Sequence, residues 1–158
     1  MKSVLIVSSV ENLQGKINEA VRTLQDIPGV YVSLNKTQKS VEDILKSRGI
    51  HTEKLFFIDC VTSEQKRTDV LHIAPQDLET LNAAIHSFVR ELKGERFIVI
   101  DALSTLLIYN NENKVAQFVK EITEYSSEED VRVIAFSPKT RGEELLNKIF
   151  NFFDEVRK

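Results

Sequence analysis

Short continuous apolar runs alternate along this chain with segments whose apolar residues recur at helical spacing, and few architectures accept that alternation. Val4-Leu5-Ile6-Val7 and Phe97-Ile98-Val99-Ile100 are too short for helices and too uniformly apolar for strands with one wet face. Such runs suit the interior of a parallel sheet covered on both sides. Between them, Ile17, Ala20, Val21 and Leu24 stand at i, i+3, i+4 and i+7, the stripe of an amphipathic helix. The predicted fold class is therefore α/β, three layers around a mainly parallel central sheet of about six or seven strands.

The expected strands cover residues 4–7, 30–34, 55–59, 70–73, 97–100 and 131–136, with a further edge strand at Glu155-Val156. Pro28-Gly29 is expected to end the first helix. Ser40-x-x-Asp43 resembles a capping box for the second, closed by Gly49. Pro75 is read as opening a long helix through Leu78, Leu81, Ile85, Phe88 and Leu92, with Gly94 past its end. Two more helices follow, through Val115 to Ile122 and Leu145 to Phe152. With 158 residues and no linker, repeat or low-complexity tract, one domain spanning 1–158 is expected.

Charge and cysteine content narrow the function classes. The net charge of −3 is well mixed, so no basic footprint for nucleic acid stands out, and Lys36, Lys39, Lys46 and Lys66-Arg67 read as a solvated face. The lone Cys60 permits neither an internal disulfide nor a multi-cysteine metal site and fits a reducing cytoplasm. His51, His72 and His86 lack metal-ligand spacing, and no apolar run approaches membrane length.

In open parallel sheets ligands bind beyond the carboxyl ends of the strands. Those ends carry Ser8-Ser9, Asn35-Lys36, Asp59, Asp101 and Ser137, the candidate crevice residues. Cys60 beside Asp59 is a second candidate, as a nucleophile, although a lone cysteine after a strand is more often buried and inert. Only five glycines occur, and Gly15-Lys16 falls between the first strand and its helix, the slot of a phosphate loop G-x-x-x-x-G-K-[ST]. Val10 stands where the first glycine belongs and Ile17 where the magnesium-binding hydroxyl belongs. A β-branched residue disfavours the positive φ of such a loop. Ile17 has no oxygen to offer Mg²⁺.

Taken with Ile100-Asp101-Ala102-Leu103-Ser104-Thr105-Leu106-Leu107, which looks like a Walker-B strand and its continuation, these stretches resemble the RecA/KaiC-like branch of P-loop ATPases. The resemblance covers nearly the whole chain and is nearest to the small archaeal members with a degenerate Walker A motif. It implies a RecA-like sheet, Gly15 and Lys16 as residual phosphate contacts, Asp101 as the acid for Mg²⁺, and ATP with Mg²⁺ as the one cofactor to consider. Asn35-Lys36 occupies the position where that family carries its catalytic glutamate, and neither side chain can serve as a carboxylate base. The expectation is a catalytically inactive domain with no catalytic residue and no cofactor, acting through a protein partner or self-association. The alternative is a residual nucleotide binder with weak or no hydrolysis. Thr62 to Asp69, Leu106 to Tyr109 and Phe150 to Phe153 are the expected contact surfaces, and neither membrane nor nucleic acid is expected as a partner.

Overall fold

A computed structural model of the chain describes residues 2–61, 70–139 and 142–158. In order the elements are β1 (Ser3–Ser8), α1 (Val10–Leu24), β2 (Gly29–Ser33), α2 (Gln38–Ser47), β3 (Leu55–Asp59), β4 (Val70–His72), α3 (Leu78–Glu91), β5 (Phe97–Asp101), a 3₁₀ turn (Leu103–Thr105) running into the short α4 (Leu106–Tyr109), α5 (Glu112–Glu129), β6 (Arg132–Pro138), α6 (Glu143–Ile149), a second 3₁₀ turn (Phe150–Phe152) and β7 (Glu155–Arg157). The seven strands form one sheet in the order β4-β3-β2-β5-β6-β1-β7, and every pairing is parallel. The α/β layered sheet expected from the apolar runs is the fold of the chain.

Strand alternation divides the core into two layers. Tyr31, Phe97 and Val99 face α1 and α2, packing with Ile17, Val21, Leu24, Val41 and Leu45. Ile98, Ile100, Val30 and Val32 face the other way, onto α3, α5 and α6 through Ile85, Val89, Phe118, Ile122 and Leu146. The five-residue run Phe97–Asp101 is buried throughout because both of its faces are covered. Phe153 is also buried, and Phe150 and Phe152 pack against the same core, so the expected contact surface at Phe150 to Phe153 is mainly packing.

Several boundaries differ from the sequence reading. The first helix ends at Leu24, ahead of Pro28-Gly29, and Gly29 is the first residue of β2. There a Cβ would lie 2.3 Å from the Phe97 ring, so the glycine is needed for a close approach between β2 and β5. The cap of α2 is Thr37, whose hydroxyl accepts the Ser40 N–H at 3.2 Å, in place of the expected Ser40 box. Pro75 does not open α3; Asp77 caps it, accepting the Thr80 N–H at 3.1 Å. Asp and Thr win these positions because their side-chain oxygens satisfy orphan helix donors. The contact surface expected at Thr62 to Asp69 lies outside the described residues.

Candidate functional site

Chain connectivity decides where this sheet opens. From β2 the chain passes through α2 on one face to β3, whereas from β5 it passes through α5 on the other face to β6, and β2 and β5 are neighbours. The crossovers therefore diverge at the carboxyl ends of β2 and β5, the position at which open α/β sheets bind ligands. A cavity of about 610 Å³ occupies it, reached by Asn35 and Lys36 after β2, Cys60 and Val61 after β3, Asp101 at the end of β5, and Pro138 at the end of β6. The first turns of α1 and the segment from Ser104 to Tyr109 wall it.

Among the described residues Asp101 is the one carboxylate in this wall. It is 2% exposed, and its Oδ2 accepts the Tyr31 hydroxyl at 2.7 Å. The register explains the pair: Ser33 stands opposite Asp101, and Tyr31, two residues earlier, shares that face. Burial pushes the Asp101 carboxyl above its ordinary range, against the Tyr31 hydrogen bond and the Lys36 charge. Burial, then the Asp101 charge, holds the Tyr31 phenol well above its own range. Thr105 donates to Asn35 Oδ1 across the mouth of the crevice, tying the 3₁₀ turn after β5 to the end of β2. The peptide between Asp101 and Ala102 is cis.

The other strand-end residues have structural duties. Asp59 is buried, its two oxygens accepting the N–H of Gln38 at 2.9 Å and of Val61 at 2.8 Å, and so it holds the start of α2 to the end of β3. Ser8 is buried and its carbonyl accepts the Lys139 N–H at 2.9 Å. Ser9 is the N-cap residue of α1, and Ser137 is buried with its hydroxyl 3.4 Å from the Pro138 carbonyl. Cys60 reaches the crevice, but burial and the neighbouring Asp59 charge push its thiol up to about 12, far from a reactive thiolate.

Gly15 and Lys16 do not join Asp101. The chain enters α1 directly after Ser9, so both sit in the second turn of a regular helix, where backbone N–H groups bond within the helix and do not converge on a ligand. A Cβ at Gly15 would meet nothing within 4 Å, and its φ is not positive, so no turn requires this glycine. Helix periodicity then separates the lysine from the crevice. Val10, Leu13, Gln14 and Ile17 form the stripe that lines it. Lys16, six residues after Val10, is turned by roughly 240° and carried about 9 Å along the axis. Together with Glu19, Ala20 and Thr23 it faces a second cavity of about 380 Å³, bordered by Arg132 and Arg157 on the flank of the sheet.

Sequence reasoning missed the apolar rim. Of five large apolar side chains exposed among the described residues, four line the crevice: Val10 at 60%, Val61 at 46%, Ile108 at 70% and Tyr109 at 51% exposure. Leu106 to Tyr109 was an expected contact surface, and its last two residues are part of this rim. Tyr31 was missed as well, although a tyrosine within a buried strand signals a hydroxyl in need of a partner. No group of three or more His, Cys, Asp or Glu side chains suited to a metal occurs among the described residues.

The fold is similar to that of a KaiC-like structure. The KaiC-like protein PH0186 from the hyperthermophilic archaeon Pyrococcus horikoshii OT3 superposes with a TM-score of 0.72 over 98% of this chain and 69% of that chain, at 14% identity. Residues 10–155 match the family described as protein of unknown function DUF835, and the chain belongs to that family. A search of curated proteins finds no match. No helix among the described residues is long and apolar enough to cross a membrane.

Proposed function

We propose that this protein is a non-hydrolysing KaiC-like domain that works by docking a protein partner, or a second copy of itself, at the strand-end crevice. The observation that carries the reading is the concentration of exposed apolar side chains, Val10, Val61, Ile108 and Tyr109, around one cavity. Exposed apolar clusters of this kind mark interaction surfaces, whereas scattered ones need no explanation. The fit to Mg²⁺-ATP is poor. A triphosphate needs converging backbone amides and a lysine at its phosphates, but Lys16 faces a different cavity from Asp101. Asn35 at the end of β2 has no basicity for activating water.

Light scattering over a range of concentrations, alongside an ATPase assay, tests the proposal. Native protein should form a defined oligomer or complex that Ile108→Glu dissolves, with no ATP turnover. A monomer indifferent to Ile108→Glu and without partners, or steady ATP hydrolysis, would overturn it.

One observation favours residual nucleotide binding as a second reading: Asp101 opens onto the switch-point cavity beside the start of α1. On that reading Mg²⁺-ATP raises the melting temperature through linkage, Asp101→Ala removes the shift, and Lys16→Ala leaves it in place.

A further inference from the structure

Lys16, turned away from the crevice, joins a cluster of like charges. The 380 Å³ cavity it faces is lined by five of the chain's 21 lysines and arginines, Lys2, Lys16, Arg132, Arg157 and Lys158, and, among the described residues, by one of its 24 acids, Glu19. On a chain of net charge −3 this is a local reversal of sign. Three of the five are already engaged. Lys2 reaches Asp130 at 3.0 Å, Arg157 holds Glu155 through two nitrogens at 3.0 and 3.1 Å, and Lys158 lies 4.9 Å from the centre of the Phe150 ring. Lys16 and Arg132 have no ion pair and no side-chain hydrogen bond among the described residues.

Register and helix period place these two free cations at opposite ends of the cavity. Val4 pairs with Ile134 of β6, and Ile6 with Arg157 of β7, all on the sheet face that α1 covers. Arg132 starts β6 one residue before the Ser3 and Val133 pair, so it lies four residues, or roughly 13 Å, from the level of Ile6 and Arg157. On the other wall Lys16, Glu19, Ala20 and Thr23 fall at i, i+3, i+4 and i+7, one stripe of a helix that runs back antiparallel to the strands. Lys16 heads that stripe at the level of Arg157, and Thr23 ends it roughly 10 Å further on, towards Arg132. The cavity is thus a groove with a free cation at each end, Val4, Ile134 and Ala20 between them, and its one acid, Glu19, at mid-length. A single small anion would satisfy one end only. In an extended chain, residues i, i+2 and i+4 point to one side and the outer two stand roughly 13 Å apart. We propose that the groove takes an extended segment of a partner protein with the pattern acid-x-apolar-x-acid, its carboxylates on Lys16 and Arg132 and its apolar side chain on Val4 and Ile134. Glu19 disfavours a third acid at the centre. This surface is separate from the strand-end crevice, so the inference goes beyond the docking reading given for that site.

Three peptides test it: Ac-Glu-Ser-Leu-Ser-Glu-NH₂, its neutral twin Ac-Gln-Ser-Leu-Ser-Gln-NH₂, and Ac-Ser-Glu-Leu-Glu-Ser-NH₂, which keeps the charge and halves the spacing. Each is titrated into the full chain at low ionic strength while the backbone amide resonances of Val4, Ile6, Ala20 and Ile134 are followed by NMR. The first peptide should shift these resonances and bind about tenfold tighter than either of the others, as two exposed ion pairs allow, with the advantage shrinking as salt is added. Lys16→Gln and Arg132→Gln should each reduce the preference. Equal binding of the glutamate and glutamine peptides, equal binding at the two spacings, shifts elsewhere on the chain, or no binding of any peptide would overturn the inference. So would movement of the same resonances by inorganic phosphate or a short oligothymidylate but not by the first peptide, which would assign the groove to phosphates. The peptide comparison uses unaltered protein, so misfolding of a variant cannot mimic failure. Its outcome is independent of Ile108→Glu, which alters a different cavity.

Discussion

At the scale of single residues, Asp101 sets a pH dependence that can be measured. Its folded value lies above the ordinary 3.8 because burial disfavours the charge. The sign follows from linkage: a carboxyl whose proton is held more tightly in the folded state contributes stability that is complete below the unfolded value and is lost as pH rises through the folded one. Asp101→Asn does not titrate. Relative to the native chain it should therefore gain melting temperature progressively from about pH 4 towards neutrality, checked by thermal melts at several pH values. A constant difference across that range would show that Asp101 carries the same charge state throughout. Asp101 was legible in the sequence as an acid ending an apolar strand, but Tyr31 was not legible as its partner. Their contact depends on which strand lies beside β5, and nothing local in either segment states that.

At the scale of elements, the helices and strands followed from periodicity, and the errors gathered at their ends. Pro75 and Ser40 are both acceptable starting residues, yet Asp77 and Thr37 cap the helices because their oxygens reach the Thr80 and Ser40 amides. Local sequence offers several such choices, and packing of the apolar stripe selects among them. Gly29 makes the same point for a strand. It reads as a turn residue after Pro28, but its role is to let Phe97 lie against the β2 backbone, with Gly29 and Phe97 directly paired. Gly29→Ala should destabilise the protein by about 1–3 kcal/mol through overpacking, lowering the melting temperature by several degrees. Denaturant unfolding would measure it, and a neutral result would mean that the Phe97 ring shifts without cost.

At the scale of the whole molecule, residues far apart in sequence close the sheet at its β1 and β7 edge. The Asp154 carboxylate accepts the backbone N–H of Lys2 at 3.0 Å and of Ser3 at 3.1 Å, while the Asp154 N–H donates to Ser3 Oγ at 2.9 Å. The Lys2 and Ser3 hydrogen bonds hold this carboxyl below its ordinary range, so its contribution exists above the unfolded value and is lost as pH falls through the folded one. Asp154→Ala should lower the melting temperature at neutral pH and converge with the native chain in strong acid. A deficit that persists undiminished in acid would assign the loss to packing and not to the carboxylate. The sequence by itself determined the layered α/β class, the strands and the apolar stripes, because burial of apolar side chains imposes a period of two on strands and about 3.6 on helices. Tertiary structure alone decided the site. Gly15-Lys16 and Asp101 look like parts of one motif along the chain, but a helix that begins at Val10 turns Lys16 to the flank of the sheet and brings Val10 instead to the crevice, which Ile108 and Tyr109 of α4 also line. The azimuth of a side chain is fixed by where its helix starts, and that start is settled by packing against strands distant in sequence.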